Sequence, residues 1–181
     1  SVSLIAIYCL LTGAFELHAQ VHMGNGIKIG EVDSASAIIW TRLTAHPNRN
    51  TEGKLFSYEK DAKKQPQNSD LSSMQGSVMG ASGDVRVTYW PTSDAQAMQS
   101  TEWETVTSEN DYTHQGKVAS LSPNTTYDVS VDGTDGSEPC QLKVKFRTAP
   151  ARDQAGTIRF VVTTCGEYHR RDDPENGHKI Y

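Results

Sequence analysis

The stretch LSPNTTYDVSVD, at residues 121–132, decides the fold. From Tyr127 onward it alternates apolar and polar residues, which is the period-two pattern of a half-buried strand. Ahead of the strand stand a leucine, a proline and two threonines. In β-sandwiches, a tyrosine at the start of such a strand bonds through its hydroxyl to the backbone just upstream and fixes the corner between two sheets. We therefore expect Tyr127 to make this bond, Leu121 to fill the core and Pro123 to fix the turn.

Further runs of the same period lie on both sides of this corner, separated by polar turns, and no helical periodicity accompanies them. Two strands joined by an Asp-Ser turn are predicted within Gly26–Arg42, and one strand in each of Asp84–Trp90, Trp103–Thr107, Thr113–Ser120, Thr126–Asp132 and Gln141–Arg147. Short antiparallel strands at regular spacing predict an all-β fold, a β-sandwich of the fibronectin type III or immunoglobulin-like kind. The corner pattern resembles that of fibronectin type III domains, and this likeness places Trp40 in the core.

The composition divides the chain into segments. A polar stretch at 45–83 contains too few apolar residues for a core of its own, so we interpret it as a surface insertion, with one short strand possible at Lys54–Tyr58. The sandwich domain is then predicted at 24–149 and a Pro- and Gly-containing linker at 150–157. From 158 the pattern changes to a nearly continuous apolar run, Ile158–Val162, which is typical of a strand covered on both faces.

The first residues resemble an export signal. Leu4–Phe15 is almost wholly apolar, and Leu17-His18-Ala19 is an acceptable cleavage site. The run is shorter than the ~20 residues that a membrane-spanning helix requires, so no stable membrane anchor is expected. We interpret residues 1–19 as a signal peptide that lacks its first residues, and a secreted, periplasmic or extracellular location follows. The alternative is a buried strand or helix of the folded domain.

Charge and cysteine content restrict the partners. The formal net charge is −5, without a sustained basic run, so nucleic acid is not an expected partner. Without Cys9, which the signal would remove, Cys140 and Cys165 remain, and a disulfide between them is possible in an oxidising compartment. The sequence leaves the oligomeric state open.

The last residues, TTCGEYHRRDDPENGHKIY at 163–181, concentrate the residue types of catalytic sites. Cys165 directly follows a predicted buried strand, and open α/β sheets place ligand and metal sites at that end of a strand. Cys165 is thus a candidate nucleophile with His169 as its base, a candidate metal ligand, or a buried free thiol. Arg170 and Arg171 are candidates for phosphate contacts, or for ion pairs with the neighbouring aspartates. His169 and His178 have no assigned role.

Five segments in order resemble a known family. They are GIKIGEV at 26–32, SAIIWTRL at 36–43, GDVRVTYW at 83–90, FRTAP at 146–150 and FVVTTC at 160–165. Together they are similar to the amino-terminal part of secreted alkaline phosphatase D, the PhoD-like metallophosphoesterases. In that family a fibronectin-like or immunoglobulin-like domain precedes an α/β metallophosphoesterase domain.

The resemblance implies a function. Cys165 would be an iron (Fe³⁺) ligand, although the family has glutamine where this chain has Gly166. The complete enzyme would use iron and calcium to hydrolyse phosphate esters, with further ligands beyond residue 181. Residues 158–181 would begin the catalytic domain, and the 181-residue chain alone is expected to be inactive and to bind no metal tightly. Monoester, diester and wall-polymer substrates all remain open.

Two other functions compete with this interpretation. The first is a stand-alone exported fibronectin-like binding or adhesion module, with the residues after Gly156 as a tail. The second is a thiol enzyme that uses Cys165 and His169. Without further strands of its own sheet, the run Ile158–Val162 is expected to join the sandwich edge, to remain unpaired or to promote association.

Overall fold

A computed structural model describes residues 20–53, 70–157 and 159–162 of the chain. These residues form β-strands and short 3-10 turns and contain no α-helix. The strands are β1 (Ile27–Gly30), β2 (Ala37–Arg42), β3 (Gly83–Pro91), β4 (Gln99–Ser100), β5 (Glu104–Val106), β6 (Thr113–Val118), β7 (Thr126–Thr134) and β8 (Cys140–Arg147). Every strand predicted in this part of the chain is present, and β4, a pair of exposed polar residues, is the addition.

The strands form two antiparallel sheets. One sheet has the order β1-β2-β6, and the other has the order β4-β3-β7-β8, with β5 also paired to β3. Side chains from both sheets form one apolar cluster, which includes Ile39 from β2, Val87 from β3 and Val131 from β7. This arrangement confirms the predicted all-β sandwich.

The core follows the alternation of the strands. In β3, Val85 and Val87 are fully buried, and in β7, Val129 and Val131 lie in the same interior. Val87 pairs directly with Val131 in the register of the two strands. Because neighbouring side chains in a strand point to opposite faces, the inward set of each strand meets the inward set of the facing sheet.

The placement of Trp40 in the core was wrong. In β2 the inward residues are Ala37, Ile39 and Thr41, all fully buried, whereas Trp40 is half-buried on the opposite face, between Lys28 and Gln115 of the adjacent strands. Thr41 is accommodated inside because its hydroxyl donates to the Gly26 carbonyl at 2.9 Å.

The tyrosine corner is confirmed. The hydroxyl oxygen of Tyr127 accepts a hydrogen bond from the Ser122 backbone N–H at 2.9 Å. Tyr127 is 4% exposed, and its ring stacks on Phe146 of β8 with ring centroids 5.7 Å apart. Leu121 is buried beside it, as expected. The corner therefore ties the loop that leaves β6 to the first residue pair of β7.

The two ends of the polar insertion are hydrogen-bonded to each other. Backbone bonds join Ala45 to Met79 at 2.9 Å and Asn50 to Ser77 at 2.8 Å, and Thr44 bridges to Gly80. The segment between the two arms, residues 54–69, lies outside the described residues, and so does the short strand suggested at Lys54–Tyr58. The insertion therefore extends from a base that is an ordered part of the sandwich.

Residues outside the predicted sandwich bounds also have defined surroundings. Val21 and Met23 are buried in the core, and His22 pairs with Thr44. The described part of the apolar run, residues 159–162, belongs to no strand, and Phe160, Val161 and Val162 are each at least 80% exposed. The described residues of this run therefore do not join the edge of the sandwich, and its expected association stays a prediction.

Candidate functional site

The candidate site residues from the sequence all lie outside the described part of the chain. These residues are Cys165, Arg170 and Arg171, together with His169 and His178. Their roles, including the iron and calcium sites and the possible pairing of Cys140 with Cys165, therefore stay predictions. Within residues 20–53, 70–157 and 159–162, no group of three or more His, Cys, Asp or Glu side chains is placed to hold a metal ion. No helix in these ranges is long and apolar enough to cross a membrane.

The chain leaves the sandwich along a fixed path. Thr148 is 2% exposed, and its hydroxyl donates to the Ser122 carbonyl at 2.7 Å while accepting from the Thr125 N–H at 2.9 Å. The Ala149 N–H then donates to the Asp33 carbonyl at 3.0 Å. Thr148 thus couples the start of the predicted linker to the tyrosine corner.

The linker folds back on itself after this anchor. The Gln154 N–H donates to the Ala151 carbonyl at 2.9 Å and closes a turn. Gly156 then packs against Pro150 so closely that a Cβ at residue 156 would lie 2.6 Å from the proline Cγ. A side chain at residue 156 would therefore require Pro150 to shift.

A polar cleft lies at the base of the insertion. It has a volume of about 640 Å³, within the range of small-molecule sites. Its lining residues come from three separate parts of the chain and are Gly24, Asn25, Asn48, Arg49, Thr51, Gly76 and Val78. A second cavity of about 510 Å³ shares Asn48, Arg49 and Thr51 with the first and adds His46 and Glu52. Most of these residues were predicted only as surface insertion, and no motif in the sequence joins the three parts.

Arg42 fixes the wall behind this cleft. Its guanidinium donates to the Val78 carbonyl at 2.9 Å and to the Asn25 side-chain oxygen at 3.4 Å. On its other side it pairs with the Asp111 carboxylate at 3.0 Å and lies over the Tyr112 ring, 5.8 Å from the ring centroid. Arg42 therefore links β2, the insertion and the turn before β6, and it orients the amide of Asn25.

A buried histidine connects the two sheets at another position. His114 on β6 is 2% exposed, and its Nδ1 lies 2.9 Å from Oε2 of Glu104 on β5. The carboxylate is off the N–H direction, and neither ring nitrogen has a well-aligned hydrogen bond among the described residues. Burial lowers the pKa of His114, and the neighbouring Glu104 carboxylate offsets only part of this effect. Burial at this position therefore favours the neutral imidazole.

Two ion pairs between neighbouring strands lie on the outer face of the five-stranded sheet. Lys145 lies 2.9 Å from Asp128, and Arg86 lies 3.4 Å from Asp132 while stacking over the Trp103 ring at 4.5 Å from the centroid. Hydrogen bonds from Thr92 and Lys145 lower the pKa of Asp128. In both pairs the two residues lie directly opposite each other on neighbouring strands.

The fold and these contacts define a class of protein: an antiparallel β-sandwich of the fibronectin type III kind, with a tyrosine corner and a fixed carboxyl-terminal exit. The family described as "PhoD-like phosphatase, N-terminal domain" matches residues 12–150, which is more than half of the chain. The protein therefore belongs to this family, and the resemblance found in the sequence is confirmed. No curated protein matches the chain.

Solved structures provide further likenesses. The structure of PhoD is 18% identical with a TM-score of 0.46, over 71% of this chain and 19% of the PhoD chain. The sensor domain of the anti-sigma factor RsgI4 in Pseudobacteroides cellulosolvens, in its solution structure, is 14% identical with a TM-score of 0.42, over 86% and 100% of the two chains. The fn3 domain of human contactin 1 is 15% identical with a TM-score of 0.36, over 72% and 80%. The match thus spans about a fifth of PhoD.

Proposed function

We propose that this chain is the amino-terminal portion of a secreted, metal-dependent alkaline phosphatase or phosphodiesterase. The observation that carries the proposal is the family match over residues 12–150. In this proposal the sandwich is not catalytic, and the catalytic domain begins at residue 158. Hydrogen bonds of Thr148 and Ala149 fix the point at which the chain leaves the sandwich, just before the predicted linker.

The proposed metal ligand on this chain is Cys165. A thiolate is a suitable ligand for iron, and it compensates part of the charge of a ferric ion. When bound, iron and calcium would supply positive charge to the phosphoryl oxygens and lower the pKa of a water, so that hydroxide is available to attack phosphorus. The guanidinium groups of Arg170 and Arg171 would hold the phosphate through paired N–H donors. The described residues of the sandwich contribute no metal cluster of their own.

The deciding experiment is phosphate release from an aryl phosphate by the full-length gene product, with iron and calcium supplied. Cys165→Ala is expected to lose most of its turnover and its bound iron. Cys140→Ala is the matched control, since Cys140 is a half-buried thiol on β8 of the sandwich. We expect Cys140→Ala to retain both activity and iron. Unchanged turnover in Cys165→Ala would remove this cysteine from the metal centre.

Two further measurements test the extent of the proposal. The coding sequence beyond Tyr181 should continue with Asp- and His-rich segments, and export should remove residues 1–19, which the mass of the mature protein would show. If the full-length product released no phosphate under any metal condition, the chain would be better explained as an exported binding module.

A further inference from the structure

The cleft at the base of the insertion carries an inference that is independent of Cys165 and of catalysis. We propose that it binds the oxyanion group of a small ligand, a phosphate or a carboxylate, with Arg49 as the cationic contact. The ligand class follows from the donors that line the cleft, and its size follows from the volume of about 640 Å³.

The lining of this cleft is rich in hydrogen-bond donors. Among its lining residues, Arg49 carries a guanidinium, Asn25 and Asn48 carry side-chain amides, and Thr51 carries a hydroxyl. No carboxylate is among the described residues that line it. Arg49 also interacts with the protein, but a guanidinium carries five N–H donors in a planar fork, so a contact with the protein and a contact with a ligand are compatible. Such a donor set matches the oxygens of phosphate and carboxylate.

The amide of Asn25 is held with its oxygen toward the protein. This oxygen accepts from Arg42, whose guanidinium is itself fixed by Asp111 and the Val78 carbonyl. The NH₂ group of Asn25 is then on the other side of the amide, and Asn25 is one of the residues that line the cleft. Arg42 therefore acts as a positioning residue for one wall of the site.

Two glycines keep the cleft open. Gly76 has a φ of +87°, which other residues rarely adopt. At Gly24, a Cβ would lie 2.9 Å from the His46 carbonyl oxygen. Side chains at either position would distort the wall or occupy the cavity. The cleft is consequently built from three segments, and glycines stand in two of them.

The test is a titration of the 181-residue chain with inorganic phosphate, with acetate and with glycerol, followed by calorimetry and by amide shifts in NMR spectra. Saturable binding of phosphate or acetate is expected, and the tighter of the two identifies the group. Arg49→Gln should weaken binding by about tenfold or more, because it removes a charge-assisted contact. Arg49→Lys should give an intermediate loss, since the charge remains but the planar fork is lost.

Asn25→Asp is the sharpest variant, because it preserves the shape and the acceptor for Arg42 but places a negative charge in the cleft. It should weaken anion binding at least as much as Arg49→Gln does. Arg152→Gln is the matched control, since it removes one positive charge from an exposed residue of the linker, and it should bind like the original protein. Three results would overturn the proposal. They are equal weakening by Arg49→Gln and Arg152→Gln, saturable binding of glycerol alone, and no saturable binding of either anion up to ~10 mM, which corresponds to a binding free energy weaker than about −3 kcal/mol.

Discussion

The tyrosine corner permits a quantitative test of how this sandwich is held together. In Tyr127→Phe the ring remains, so the stacking on Phe146 at 5.7 Å and the tilted contact with Tyr89 at 6.5 Å are preserved. Only the hydroxyl is lost, and with it the acceptor for the Ser122 N–H at 2.9 Å. The perturbation therefore isolates one hydrogen bond at the junction of β6 and β7.

The magnitude follows from the surroundings of that bond. The substitution leaves the Ser122 N–H without its acceptor in a packed corner. Such a loss typically lowers the free energy of unfolding by about 1–2 kcal/mol. For a domain of this size, such a loss corresponds to a decrease of roughly 3–8 °C in the melting temperature. Because the Ser122 side of the bond is close to solvent, we expect the lower half of the range, as water replaces part of the contact.

Tyr89→Phe is the matched control. Tyr89 is also buried, but its hydroxyl donates at 3.1 Å to the side chain of Gln99, an exposed residue of the short strand β4. Water can solvate Gln99 in the variant, so the expected cost is at most about 0.5 kcal/mol. Urea titrations give the free energy of unfolding of both variants, and its dependence on urea concentration should have the same slope in each. If Tyr127→Phe lost no more stability than Tyr89→Phe, the corner bond would not contribute as argued.

The other predictions concern the core, one close contact and pH. Ile39→Ala should lower the free energy of unfolding by about 2–5 kcal/mol in urea titrations, because the side chain is fully buried. Gly80→Ala should reduce the yield of folded protein, since its Cβ would overlap the Tyr112 ring, whereas Gly30→Ala, with open space around the Cβ, should change the melting temperature little. Burial lowers the pKa of His114 below its value of 6.5, so the unfolded chain binds the proton more readily. Stability should then fall as the pH decreases below about 6.5, and His114→Gln should flatten that dependence in melting curves.

The strand pattern made the architecture predictable. From Tyr127 to Val131 every second residue is apolar, and the same period recurs in Val85 and Val87, so the inward face of β3 and β7 follows from the sequence. The corner was predictable for a related reason, because a leucine, a proline and a tyrosine at fixed offsets have few other packing arrangements. Local chemistry of this kind does not depend on distant parts of the chain.

Alternation alone could not assign the two faces of β2. Both Ala37–Ile39 and Ile38–Trp40 are apolar pairs, so period two is satisfied with either set inward. The deciding residue is Arg42, which shares its face with Trp40 and is charged. Its guanidinium reaches Asp111 and the Val78 carbonyl outside the core, and the opposite face is then buried.

The cleft was beyond prediction because its parts are distant in sequence. Asn25, Arg49 and Gly76 meet only after the two arms of the insertion pair with each other. Each arm alone is a polar segment without periodicity, and such segments usually indicate exposed loops. The arrangement depends on backbone bonds between the arms, which no local pattern specifies.

The cleft and the linker lie at opposite ends of the sandwich, and this separates the two proposals. Asn25 precedes β1, whereas Asp33, which binds Ala149, follows it. The four residues of β1 span about 13 Å, so a ligand small enough to fit the cleft does not reach the linker. Variants of Arg49 should therefore change anion binding by the sandwich without altering phosphate release by the full-length protein. A shared loss of both properties would contradict this separation of the two ends.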